Sequence, residues 1–304
     1  PTSSRYSRHV RILYQYPDAI GPDADMLAAG SVAEVAREVE LAGLDGLAFT
    51  EHPAPSAKWL SAGGHQTLDP FAALAHAAAV TSRIRLFTYL SVVAYRNPFM
   101  LGKTAASVDL LSQGRLELGL GAGYQKAEFF ALGVDFDSRN DRMDETLDLL
   151  PRYWTGEPVA HRGLDFEARD AICRPRPVQQ PVPIWIGGNS RLSLERVARG
   201  GFGWMPMMTP AVVSATTRTA HIGSAADLAA KVRQLRDLTE GRAVEVLVSY
   251  LDHEATTPGA PVEKHRQAIG ELVDAGATWI GLTQPSSSLA HTTDAIAHVA
   301  ASYR

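Results

Sequence analysis

A histidine followed by Pro53 and then Pro55 is the first arrangement in this chain with the means to do chemistry. Glu51-His52 closes the apolar run 47–50. Proline fixes its own backbone, so the imidazole of His52 sits on a rigid turn rather than on a helix face. There it can move a proton near neutral pH, or donate a hydrogen bond to an anion developing on a bound ligand. Most histidines are structural, and position at a strand end sets this one apart. Glu51 either orients His52 or is an ordinary buried acid paired with an arginine.

A second arrangement is Gly187-Gly188-Asn189-Ser190, with Ser193 one turn later. Two glycines at a strand end and hydroxyls at a helix start suit an anion, because backbone N–H groups and the positive end of the helix dipole point at one spot. A helix cap explains Ser190 but not both glycines, so phosphate binding is expected. Gly121-Ala122-Gly123-Tyr124, preceded by Gly119, lets backbone approach a ligand closely. Its third glycine falls one residue early for a G-x-G-x-x-G fingerprint, and the acidic partner expected about 20 residues on is missing. Small residues at a crowded strand end explain it equally well. Thr88-Tyr89-Leu90-Ser91, ahead of Tyr95-Arg96-Asn97-Pro98, reads as a core strand and a helix start. The 10 histidines are scattered without H-E-x-x-H or paired-carboxylate spacing, so no metal is expected. No G-x-S-x-G elbow or phosphate-binding P-loop is present. Cys173, the single cysteine, has no patterned His or Asp beside it and reads as a bystander.

These groups need a scaffold, and the chain repeats one unit: apolar run, turn, amphipathic helix. Strand-like runs fall at 10–14, 47–50, 85–93, 115–120, 184–186, 203–205, 245–251 and 278–282. Ser31 and Glu34 form a capping box for a helix over 32–42, which Gly43 closes. Asp69-Pro70 opens a helix to about 81, and Asn97-Pro98 opens another to 111. Met143, Leu147, Leu150 and Trp154 mark one face of a helix over 140–154. Further helices follow Ser190 to 198 and cover 225–238, 263–275 and 290–302, while 159–166 reads as a small hairpin insertion. Strands alternating with helices argue for a parallel sheet. Eight such units in 304 residues favour closure into a (β/α)8 barrel, with an open doubly wound sheet as the alternative. No linker or low-complexity tract divides the chain, so one domain over 1–304 is expected. In a barrel, reactive groups project from the C-terminal strand ends, which is where His52, Gly121 and Gly187 fall.

The bulk numbers exclude some classes. Net charge is −4, with 29 basic against 33 acidic residues, which offers nucleic acid no basic surface. One cysteine leaves no internal disulfide and fits a reducing compartment. The opening residues carry charges without an apolar stretch, and no run approaches the ~20 apolar residues of a membrane span. A cytoplasmic protein acting on a small molecule is expected.

Taken in order, GLAFTEH at 46–52, YRNP at 95–98, DLLSQGRLELG at 109–119 continuing to Tyr124, DETL at 144–147 through WTG at 154–156, and PIWIGGNS at 183–190 resemble the luciferase-like monooxygenase superfamily. The similarity runs from about 10 to 300. TEHPAP at 50–55, with Gly63-Gly64-His65 and Leu68-Asp69-Pro70, is similar to actinobacterial members that use the deazaflavin coenzyme F420. The resemblance implies a (β/α)8 barrel and a flavin or deazaflavin at its mouth. It implies that His52 lies over the ring and handles protons, with Glu51 beside it. Thr88, Tyr89 and Leu90 would back the ring at a cis peptide between Tyr89 and Leu90. Gly121, Ala122, Gly123 and Tyr124 would lie along the ribityl chain, and Gly187, Gly188, Asn189, Ser190 and Ser193 would cradle the phosphate. Tyr124 stands where some deazaflavin enzymes carry a glutamate, and Ala122 where certain flavin members carry an arginine. F420 with hydride transfer is the expected chemistry. The alternatives are an FMN-dependent monooxygenase fed by a separate reductase and a non-catalytic flavin carrier. A homodimer is expected from the family.

Overall fold

The computed structural model describes residues 10–217, 219–285 and 288–304. The charged opening segment, read above as unlike a signal sequence, lies outside the described residues over 1–9. Eight parallel strands follow one another around a closed barrel: β1 (Arg11–Gln15), β2 (Gly46–Phe49), β3 (Arg85–Val92), β4 (Leu116–Gly121), β5 (Ile184–Gly187), β6 (Gly203–Met205), β7 (Glu245–Ser249) and β8 (Trp279–Leu282). Closure is made by β1 against β8, with Ile12 opposite Ile280, and by β1 against β2, with Leu13 opposite Gly46. The open-sheet alternative is therefore excluded.

The helices that return the chain are α1 (Val32–Leu41), α2 (Pro70–Ala78), α3 (Pro98–Leu111), α4 (Arg139–Trp154), α5 (Arg191–Gly200), α6 (Ala225–Leu238), α7 (Val262–Asp274) and α8 (Leu289–Tyr303). The starts of α1, α2 and α3 follow the capping chemistry read from sequence. Ser31 and Glu34 form both halves of a capping box, while Asp69 and Asn97 accept from Ala72 and Phe99 ahead of a proline in the first turn. The insertion between α4 and β5 is a hairpin, Val159–Arg162 against Glu167–Ala171, reaching five residues past the expected 166. Its second strand is polar and mostly exposed, so no apolar alternation marked it.

Leu13, Ala48, Phe87, Trp185, Met205, Leu247 and Trp279 fill the barrel. At the N-terminal end, Arg85 pairs with Glu117, which also accepts the Trp185 indole N–H at 2.6 Å. That part-buried pair lies at the floor of the barrel, the face where charge serves stability rather than catalysis.

Candidate active site

The C-terminal ends of β2 to β5, four consecutive strands, form one wall. At the end of β2 the carboxylate of Glu51 is buried and fully engaged. It accepts from the Val92 N–H at 2.6 Å and from the Ser91 hydroxyl at 3.0 Å, and it pairs with Arg96, which also holds Asp69 at 2.6 Å. Burial raises the Glu51 carboxyl above its usual range against the pull of Arg96. Of the two readings given to Glu51, the geometry takes the second: a buried acid paired with an arginine, locking β2 to β3.

The His52 imidazole faces a different acid. Its Nδ1 lies 3.1 Å from Oε2 of Glu128, which sits on a one-and-a-half-turn helix, Lys126–Ala131, after β4. Tyr95 donates its hydroxyl to the same oxygen at 2.9 Å, and the Ala54 N–H donates to Oε1 at 3.3 Å. Glu128 is 1 % exposed and the His52 side chain 9 %. The backbone of His52 is held too, through its N–H to the Thr67 hydroxyl at 2.9 Å. Around the imidazole stand Trp59 at 4.5 Å between ring centroids, His65 at 5.0 Å and the edge of Tyr124 at 6.2 Å.

His65 reaches this cluster because His65–Gln66 pairs antiparallel with Ala19–Ile20, tying the loop after β2 to the loop after β1. The same pairing brings in Asp18, which accepts from Gln15 at 2.8 Å and Thr50 at 3.1 Å and lies 3.8 Å from Nε2 of His65. Burial pushes the Asp18 carboxyl up to about 6, against hydrogen bonding by Thr50 and the charge of His52. Burial, with His52 adding to it, pushes the His65 imidazole down to about 4. Both groups are therefore neutral around pH 5.

Along the wall, the Tyr89–Leu90 peptide is cis. Thr88 turns its hydroxyl to the Gly119 carbonyl at 2.8 Å, and Tyr89 reaches across the barrel to Ser249 at 2.6 Å. Leu90 explains two of the glycines. A Cβ on Gly121 would meet Leu90 Cδ1 at 2.5 Å, and one on Gly187 would meet Cδ2 at 2.1 Å. Those positions are bare because Leu90 lies between them, a packing reason that operates with or without a ligand. Gly123 adopts φ +86°, and a Cβ there would press on Val92 at 2.6 Å. Ala122 is partly buried beside it, and burial pushes the Tyr124 phenol up to about 12.

At the far end Gly188 takes φ +103°, a region other residues rarely adopt, and a Cβ there would approach the Ser193 hydroxyl at 2.9 Å. Ser190 caps α5 by accepting the Ser193 N–H at 3.1 Å, and the two hydroxyls lie 3.0 Å apart. Asn189 is wholly buried. Its amide donates to the carbonyls of Met207 and Ala220, each at 2.7 Å, and accepts the Met207 N–H at 2.8 Å. Its side chain thus staples the segment after β6.

Of the expected residues, the structure brings His52 against Tyr124 and Leu90 against both Gly121 and Gly187. It adds Asp18 and Glu128, which no motif in the sequence marked, and gives partners to His65 and Tyr95, which stood only within the stretches that carry the resemblance. Glu128 lies seven residues past Gly121 on a helix too short to show periodicity, so nothing local pointed to it.

A closed parallel barrel with titratable groups at neighbouring C-terminal strand ends and a hydroxyl-lined helix start is the architecture of an α/β-barrel enzyme. The luciferase-like monooxygenase family model matches residues 12–232, and the chain belongs to that family of oxidoreductases. Among curated relatives, an uncharacterized protein of Mycobacterium tuberculosis H37Rv is 33 % identical over 141 residues, 46 % of this chain and 50 % of the relative. The F420-dependent glucose-6-phosphate dehydrogenase of Amycolatopsis mediterranei is 31 % identical over 189 residues, 60 % of this chain and 54 % of the relative. The matched regions thus span about half the length of these relatives. Among solved structures, an F420-dependent secondary alcohol dehydrogenase bound to an F420-acetone adduct superposes with a TM-score of 0.74 at 16 % identity, covering 97 % of this chain and 99 % of that one. Monooxygenase RslO1 from Streptomyces bottropensis superposes at 0.71 with 21 % identity, covering 96 % and 98 %. At those identities the likeness is one of fold. Among the described residues no helix is long and apolar enough to cross a membrane.

Proposed function

We propose that this protein is an oxidoreductase that uses the deazaflavin F420 for two-electron hydride transfer with a small organic substrate. The observation that carries the reading is the continuous wall from His52 to Ser193. One end offers a titratable imidazole among aromatic rings, and the other offers two hydroxyls and a helix start around a bare Gly188. That asymmetry suits a molecule with a flat ring at one end and a phosphate at the other. Ser190, Ser193 and the first turn of α5 would hold the phosphate, and His52, Leu90 and Tyr124 would border the ring. When bound, the deazaflavin supplies the hydride carrier. His52 would then take up a proton at Nε2 or return it from the protonated ring, and Trp59, Tyr124 and Leu90 would keep water from the reacting face.

Relatives named as F420-dependent glucose-6-phosphate dehydrogenases, 31 % identical over 189 and 186 residues, support the deazaflavin over FMN. One feature favours the second reading, an FMN-dependent monooxygenase supplied by a separate reductase: Tyr124 stands where some deazaflavin enzymes carry a glutamate. A cytoplasmic homodimer completes the proposal. Parallel equilibrium titrations with F420 and FMN test it. Saturable F420 binding at least tenfold tighter than FMN is expected; tight FMN binding with no F420 affinity overturns it in favour of the monooxygenase.

A further inference from the structure

The acid that governs His52 is Glu128, and its surroundings say more than that the two are close. Three groups converge on this carboxylate: the Tyr95 hydroxyl at 2.9 Å and the His52 Nδ1 at 3.1 Å on one oxygen, and the Ala54 N–H at 3.3 Å on the other. A carboxylate only accepts, so each neighbour must bring a hydrogen. The backbone N–H of Ala54 always does. The Tyr95 phenol does as well, since burial first and the charge of Glu128 next hold its ionisation far above the ordinary value. The remaining position on Oε2 calls for N–H at Nδ1 of His52. In the neutral ring that fixes the tautomer, with the proton on Nδ1 and the lone pair on Nε2. Among the described residues Nε2 has no hydrogen-bond partner, whereas Nδ1 is committed.

We infer that Glu128, buttressed by Tyr95, is the positioning residue of the active site: it holds His52 as the Nδ1–H tautomer, with the Nε2 lone pair directed at the substrate or cofactor. Glu128 touches neither; it acts through the imidazole. The Ala54 contact makes the same carboxylate fix the backbone two residues past His52, so ring orientation and turn are set together. Glu51, the adjacent acid in sequence, is excluded from this task by its bonds to Val92, Ser91 and Arg96. The inference extends the catalytic part of the proposed function, and rests on it only for the claim that Nε2 meets a reactant.

Long-range proton–nitrogen NMR of the whole protein, with histidine labelled by nitrogen-15 and His52 identified through H52N, tests it without any cofactor. The neutral His52 ring is expected to show a protonated Nδ1 and a bare Nε2 in the wild type. E128L removes every acceptor at similar volume and is expected to return the ring to the Nε2–H form that free histidine prefers. A wild-type spectrum with the proton on Nε2 overturns the inference even if E128L fails to fold, and so does a folded E128L with an unchanged tautomer. In turnover with any accepted substrate, E128Q should lower kcat about 10- to 100-fold and leave cofactor affinity within about twofold. Failure to bind F420 would sink the cofactor reading and leave the tautomer result standing.

Discussion

Asp18 and His65 face each other at 3.8 Å with burial acting on them in opposite senses, and this sets up a cancellation that single substitutions should unmask. The Asp18 carboxyl titrates at about 6 in the folded protein against 3.8 when free. As pH rises the unfolded chain releases this proton first, so the stability the group contributes is complete below 3.8 and lost by about 6. At about 1.4 kcal/mol per pH unit the loss is roughly 3 kcal/mol. His65 runs the other way. Its imidazole titrates at about 4 against 6.5, so the unfolded chain takes the proton first as pH falls. That contribution is complete above 6.5 and lost by about 4, again roughly 3 kcal/mol. The side chains are 22 % and 23 % exposed, and solvent screening trims each figure to about 2 kcal/mol. The wild type should therefore show little net dependence from this pair between pH 4 and 6.5. Urea unfolding across that window tests it. Relative to wild type, D18N should lose about 2 kcal/mol on going from the upper to the lower limit, and H65N should gain about as much. Two curves parallel to the wild type would refute the reasoning.

Removing the imidazole with H52A should cut turnover about 10²- to 10⁴-fold while cofactor affinity stays within about twofold, as read by steady-state kinetics beside titration. Deleting one cradle hydroxyl with S193A should weaken cofactor binding about tenfold, the value of a hydrogen bond to a charged group, with an unchanged unfolding midpoint. G187A should cost about 1–3 kcal/mol in urea unfolding because its Cβ meets Leu90, and adding L90A should recover part of that loss in a double-mutant cycle. R96M strands the buried Glu51 and should cost about 3–5 kcal/mol, most of it recovered by E51Q.

The barrel was legible because its signals are local. Several helix starts carried a side chain able to cap them, as at Ser31, Asp69, Asn97 and Ser190, and each strand was a short apolar run. Strand ends missed by one residue, as at Gly46 and Gly121, because pairing with the neighbour, rather than hydropathy, decides where a ladder stops. The candidate site was half legible. His52, Gly188, Ser190 and Ser193 announced themselves by residue type and position. Gly121 and Gly187 looked like ligand glycines in one dimension and are explained in three by the side chain of Leu90. Glu51 drew attention by adjacency, yet its carboxylate turns to Arg96, Ser91 and the Val92 N–H and away from the neighbouring imidazole. The partner of the imidazole comes from 76 residues downstream. Asp18 and His65 meet only through a pairing of two residues with two, too short for any periodic pattern.

The most direct test of the proposed cofactor site is a crystal structure of the protein bound to F420. The account predicts the phosphate against Ser190, Ser193 and the start of α5, and the deazaflavin ring beside His52 and Leu90. A cofactor seated elsewhere, or a ring remote from His52 with the phosphate away from α5, would contradict it.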